Sequence, residues 1–189
     1  MLPDQQSQSA DGFADTVREL GVADLPALIE LLDRDQDANS VVAERVVAAQ
    51  LDPLGSGGPT WGWFSDGQLR SAVFIGPNVI LAETTPQARR EFAARLSHVG
   101  RRSSAIVGYR EEVLDLWRRL EPTWGPCREV REDQPLMVCT HDPEPEPLEG
   151  VRRLGIEDID VFMPAAIDRA GAWSSAPHRT AASNGLSCR

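Results

Sequence analysis

Thr60 to Glu83, TWGWFSDGQLRSAVFIGPNVILAE, constrains the fold more than any other stretch, because two turn signals cut it into three consecutive strands. Ser65-Asp66-Gly67-Gln68 sets an Asp-Gly pair, which accepts positive φ, between apolar, aromatic-rich arms. Gly76-Pro77-Asn78 marks a second reversal, so Val79-Ile80-Leu81 returns as the third strand. Thr85 then caps a predicted helix that has Pro86 first, carries on from Arg89 to Leu96 and stops at Gly100.

Upstream, Thr16–Leu20 reads as a short strand and Asp24 as an N-cap with Pro26 two places on, while Leu25, Leu28, Ile29 and Leu32 recur at helical spacing. A second helix is predicted from about Asn39 to Leu51, with Val42, Val46 and Ala49 on one side, and Asp52–Pro59 is a turn-rich loop. Downstream, Ser104–Gly108 reads as a short buried strand. Arg110–Leu120 is a helix with Val113, Leu114, Trp117 and Leu120 on its inner face, ended by Pro122. Arg128–Thr140 closes the unit as one or two strands, and the proline-and-acid stretch His141–Gly150 resists helix and sheet alike.

Beyond that stretch the pattern starts again. Val151–Leu154, Glu157–Asp160 and Val161–Ile167 repeat the strand, turn and acid-rich helix start of Thr16–Leu32. From Arg169 on, the pattern is abandoned: all 29 acidic residues lie at or before Asp168, and the helical periodicity fails at the same place. The expected division is a flexible N-terminus over 1–14, a domain over 15–141, a linker over 142–150, the start of a truncated second domain over 151–168, and a disordered or frameshifted tail over 169–189.

A net charge of −10, with scattered arginines and no lysine, argues against a nucleic-acid partner, which needs a clustered basic face. No apolar run approaches the ~20 residues that span a bilayer, and the N-terminus lacks a signal-peptide pattern, so no membrane partner and a cytoplasmic location are expected. Cys127, Cys139 and Cys188 are an odd set without CxxC spacing, which fits a reducing compartment. Cys139 and His141 would share one side of a strand, but two ligands without a third make a buried structural Cys the preferred reading and leave no metal site assigned. His98, His141 and His178 show no relation to a nucleophile.

The order helix, helix, three strands, helix, strand, helix, strand resembles the GNAT acetyltransferase fold, an α/β (α+β) structure with a mostly antiparallel or mixed sheet flanked by helices. LGVADLPALIELLDRDQDANSVVAERV, WGWFSDGQLRSAVFIGPNVILAE, RRSSAIVG and LEPTWGPCREVREDQPLMV are similar to the N-terminal domain of unknown function that precedes the catalytic domain in actinobacterial tandem GNAT-like proteins. The resemblance covers about Thr16–Thr140 and extends faintly to Ile167. It implies that full-length relatives transfer an acetyl group from acetyl-CoA to an amine, and that this chain's partner is the missing catalytic domain or a second copy.

The resemblance also makes a demand on sequence, since the family holds the acetyl-CoA pyrophosphate on a Q/R-x-x-G-x-G/A loop opening a helix. At that place stands Glu83-Thr84-Thr85-Pro86-Gln87-Ala88, without glycine, with one donor lost to proline and an acid nearby. Arg152–Glu157 matches the pattern only in part and stands where the fold does not bind the cofactor. Tyr109 only approximates the family's proton donor to the departing thiolate. Trp61, Trp63 and Phe64 read as packing before they read as a binding wall, and Arg101-Arg102 as a solvated turn. No catalytic, cofactor-binding or metal residue is therefore assigned and no cofactor is expected for this chain. The expected function is a non-catalytic GNAT-like domain. A stand-alone regulatory or binding module for a protein or small metabolite is the alternative, and an acetyltransferase with an unconventional cofactor site is disfavoured.

Overall fold

The computed structural model describes residues 15–141 and 149–175, with backbone alone from 169 onward. The expected flexible N-terminus, most of the linker and the tail from 176 lie outside the described residues. The described residues fall into two units, one ending at Val138 and the other beginning at Cys139.

The first unit is built on the meander expected from the two turns. β2 (Thr60–Ser65), β3 (Gln68–Ile75) and β4 (Asn78–Ala82) pair antiparallel in chain order. Asp66 and Gly67 both take positive φ, 51° and 72°, as a two-residue hairpin turn matched to strand twist requires. β1 (Thr16–Glu19) adds antiparallel to β2, and β5 (Ala105–Val107) adds parallel to β4, giving the order β1-β2-β3-β4-β5. The fold is α/β, with a mixed, mostly antiparallel sheet.

Helices cover both faces of the sheet, so the central strands are apolar on both sides. α1 (Leu25–Leu32) and α2 (Gln36–Ala48) supply Leu28, Leu31, Leu32, Val42 and Val46 to one core, where they meet Leu20, Ala72, Phe74 and Ala82 of the sheet layer. α4 (Pro86–Val99) and α5 (Arg110–Trp124) supply Phe92, Leu96, Leu116, Leu120 and Trp124 to the other, against Val17, Trp63, Val73, Val79 and Leu81. Period-2 alternation sorts the strands: Val73 goes to one side while Ala72 and Phe74 go to the other. Gly62 is needed where β2 runs beside β1, because a Cβ there would lie 2.6 Å from both Leu20 Cδ2 and Leu69 Cδ1.

Several boundaries depart from expectation, each for a local reason. α2 starts at Gln36 because the Asp35 side chain caps Ala38 N–H at 3.1 Å, and it stops at Ala48 because Gln50 and Leu51 turn left-handed to bury Leu51. The Asp52–Pro59 loop contains a single helical turn, α3 (Pro53–Ser56), capped by Asp52. Asp24 precedes α1, but its side chain caps no α1 amide and turns back to Gly21 N–H and Arg18.

α5 does not end at Pro122. It runs on to Trp124, whose burial and Nε1–H bond to Leu96 O at 3.3 Å offset a proline placed in the last turn. Its buried residues are Leu116, Leu120 and Trp124, with half-buried Val113 and Trp117 packed against the same core as expected and Leu114 half-exposed. β5 is not buried either: Ala105 and Val107 are exposed and Ile106 half-buried.

The largest correction is Arg128–Thr140, which forms no strand. Every residue in it is exposed, Leu136, Met137 and Val138 at 63%, 86% and 52%. Its charged half makes side-chain pairs, Arg131 to Glu129 at 3.1 Å and Arg110 to Glu132 at 2.9 Å, and Pro135 lacks the N–H a ladder needs. In the second unit Val151–Leu154 forms no strand, contrary to expectation, while Ile156–Asp158 makes a 3₁₀ turn and α6 runs Ile159–Ser175. The helix thus continues past Asp168, where the periodicity failed.

Candidate functional site

The carboxyl ends of the parallel pair β4 and β5 lead into α4 and α5, and such an edge is where open α/β sheets place ligands. Glu83, the residue after β4, is left-handed at φ 53°. Its carbonyl accepts from Ser71 Oγ at 2.7 Å, and that hydroxyl accepts Thr85 N–H at 3.3 Å. Buried Asn39, on α2, donates from Nδ2 to Leu32 O at 3.1 Å and lies 3.5 Å from Glu83 Oε1. Three elements far apart in sequence thereby meet at one turn.

Charge gathers at the same turn. Thr84 Oγ1 donates to Glu112 Oε2 at 2.7 Å. Burial pushes the Glu112 carboxyl up from its ordinary value, outweighing the lowering by Thr84 and Arg89. Arg89 is buried, donating from Nη1 to Thr84 O at 2.6 Å and from Nε to Asp115 Oδ2 at 2.8 Å. Burial raises Asp115, but hydrogen bonds from Arg89 and Arg119 outweigh it and hold the carboxyl below the usual range. Tyr109, the residue before α5, donates its hydroxyl to Asp35, which raises the phenol and lowers the carboxyl. Asp35, Glu83 and Glu112 make the region negative, and its one buried guanidinium is engaged by Asp115 and Thr84.

The start of α4 has much of its donor capacity already used. Thr85 N–H is held by Ser71, Pro86 has no N–H, and Ala88 N–H is held by Thr85 Oγ1 at 3.1 Å. Beside it opens a cleft of about 590 Å³, with Pro86, Leu114 and Trp117 as its apolar wall and Arg89, Arg118 and Glu132 among its charged groups. Leu114, expected in the core, lines this cleft, and Trp117 lines it while also packing against the α4–α5 core.

The other residues singled out in the sequence do not converge. Trp63 is buried and Trp61 packs beside it in the same core, whereas Phe64 packs on the opposite one and carries the Arg18 guanidinium 4.2 Å above its ring. Arg101 and Arg102 are exposed, and Arg101 reaches Pro126 O at 3.4 Å. Cys139 is exposed, not buried as expected, because no strand forms there to cover it; its Sγ donates to His141 O at 3.3 Å. No group of three metal-ligating side chains is found among the described residues, and no helix among them is long and apolar enough to cross a membrane. His98 is exposed on α4; His178 and Cys188 lie outside the described residues.

A feature missed in the sequence is a side-chain circuit present twice. In the first unit Arg18 grips Asp24 bidentately at 2.7 and 2.7 Å, and Asp24 Oδ2 accepts Gly21 N–H at 3.0 Å. In the second, Arg152 grips Asp158 at 2.7 and 2.5 Å, and Asp158 Oδ2 accepts Gly155 N–H at 2.9 Å. The signal was legible as V-R-x-L-G-[VI]-x-D-[LI], starting at Val17 and at Val151. Asp24 and Asp158 are both held below their ordinary value, first by the arginine hydrogen bond.

A family profile described as a domain of unknown function (DUF4081) matches residues 58–162, which starts just before β2 and reaches into α6. No curated protein and no solved structure matches the chain. Because that match spans more than half of the chain, the protein belongs to the DUF4081 family of domains of unknown function.

Proposed function

We propose that residues 15–141 are a GNAT-like module that does not itself hold acetyl-CoA, within an N-acetyltransferase architecture whose second, similar unit begins at residues 151–168. The strand order supports the reading: an antiparallel run ends in one parallel pair, β4 and β5, bridged by α4. The observation that carries the non-catalytic part is the start of α4, where two amides are satisfied internally, a third is absent, and Glu83 and Glu112 stand close by. A pyrophosphate needs several free N–H donors at a positive helix end, and here two of those amides are already bonded, proline replaces another, and two carboxylates stand against the helix end. The runner-up, a stand-alone binding or regulatory module, is favoured by the open cleft beside Leu114 and Trp117.

Calorimetry of the purified chain with micromolar acetyl-CoA, paired with a thiol-release assay on mixed amines, tests the first reading. A flat trace and no thiol release are expected. A saturable isotherm overturns the non-catalytic reading, the more so if Arg101→Ala and Arg102→Ala weaken it.

A further inference from the structure

The nine-residue motif occurs twice with the same internal geometry but in different surroundings. Gly21 sits at φ −119°, ψ 179° and Gly155 at φ −100°, ψ −179°, each followed by a 3₁₀ turn and a helix. In the first copy Val17 and Leu20 are 6% and 3% exposed, and Leu28 on the following helix is 1% exposed. Their counterparts Val151, Leu154 and Phe162 are 68%, 50% and 50% exposed. The arginine–aspartate clamp holds both copies in the same shape, so the difference lies in what covers them.

The first copy shows the cover. β1 is paired antiparallel to β2 with Val17 opposite Trp63, Arg18 opposite Gly62 and Thr16 opposite Phe64. Three residues of β2 answer features of β1 and of Leu20 just after it, since Gly62 leaves room for Leu20, Phe64 lies under the Arg18 guanidinium, and Trp63 packs in one core with Val17. Resting on the reading that residues 151–168 begin a second unit of the same plan, we propose that Val151–Leu154 is a strand-docking element. Its occupant is an antiparallel β-strand of another polypeptide, with glycine opposite Arg152, an aromatic residue opposite Val151 and a second aromatic ring beneath the Arg152 guanidinium. Main-chain hydrogen bonds give the contact its strength and the glycine its selectivity, as in recognition by strand addition generally. The motif is pre-shaped by its clamp, so ordering costs less on docking.

The probe is a synthetic peptide with the sequence of Thr60–Ile75, the chain's own β2–β3 hairpin, added to the full chain and followed by hydrogen exchange with mass spectrometry. Saturating peptide is expected to slow amide exchange at 151–154 by about tenfold or more, the protection that stable strand pairing confers over an exposed segment. The same peptide with Gly62→Val is expected to give none, and Arg152→Ala in the chain to weaken the effect. Absence of protection at 151–154 overturns the proposal. So does equal protection by the valine peptide, or protection confined to Thr16–Glu19, which means exchange into the first unit. Acetyl-CoA binding leaves these outcomes untouched, so failure of the docking proposal and failure of the non-catalytic reading are told apart.

Discussion

Glu112 shows how a single carboxyl ties stability to pH. Its native pKa is raised, mainly by burial, above that of the unfolded chain, so the proton binds more tightly when the protein is folded. The stability this gives is present in full below the ordinary glutamate range and is lost as pH rises through the native value. Glu112→Gln keeps an oxygen to accept from Thr84 and removes the ionisation. Thermal melts are expected to show the variant's stability relative to the parent rising as pH climbs from below the ordinary glutamate range through the raised native value. A difference that stays level across that span counts against the argument. None of this is legible in the sequence. Glu112 reads as one more acid in a helix's first turn, and only tertiary placement beside Thr84 and Arg89 distinguishes it from its exposed neighbour Glu111.

Elements whose ends carry their own chemistry were legible. α4 begins and ends as Thr85, Pro86 and Gly100 predict, because cap, fixed φ and left-handed stop are local effects. Thr85→Ala removes the acceptor for Ala88 N–H, and chemical denaturation is expected to show a loss of about 1 kcal/mol, the usual cost of a lost N-cap. A loss below a few tenths would mean that another group satisfies that amide. The Arg128–Thr140 segment was illegible for the converse reason. Leu136-Met137-Val138 has strand-like composition, but strand formation requires a neighbour to pair with, and composition carries no record of one. α5 fails expectation in the other direction, its tertiary anchor Trp124 outweighing the local veto of Pro122.

At the scale of the whole molecule, the exposed Arg128–Thr140 stretch bounds the first unit more sharply than sequence periodicity does. Brief tryptic digestion followed by intact mass measurement is expected to show cleavage after Arg128 or Arg131 before any at Arg70, which lies within the sheet. Early cleavage at Arg70 would contradict this division. The turn and helix start of the repeat were read correctly, whereas Val151–Leu154 forms no strand; the arginine–aspartate clamp went unread because a salt bridge across six residues leaves no periodic trace, although the nine-residue motif around it stands in the sequence. The sheet order has a temporal consequence as well. From β2 to β4 each strand lies beside the one just made, and β5 requires only the α4 crossover, so most pairing proceeds by short loop closures. β1 is the exception: it emerges first, yet its partner β2 follows only after α1, α2 and α3. A chain growing from its N-terminus must therefore carry Val17 without Trp63 until β2 has been synthesised, and among the five strands the earliest made waits longest for its neighbour.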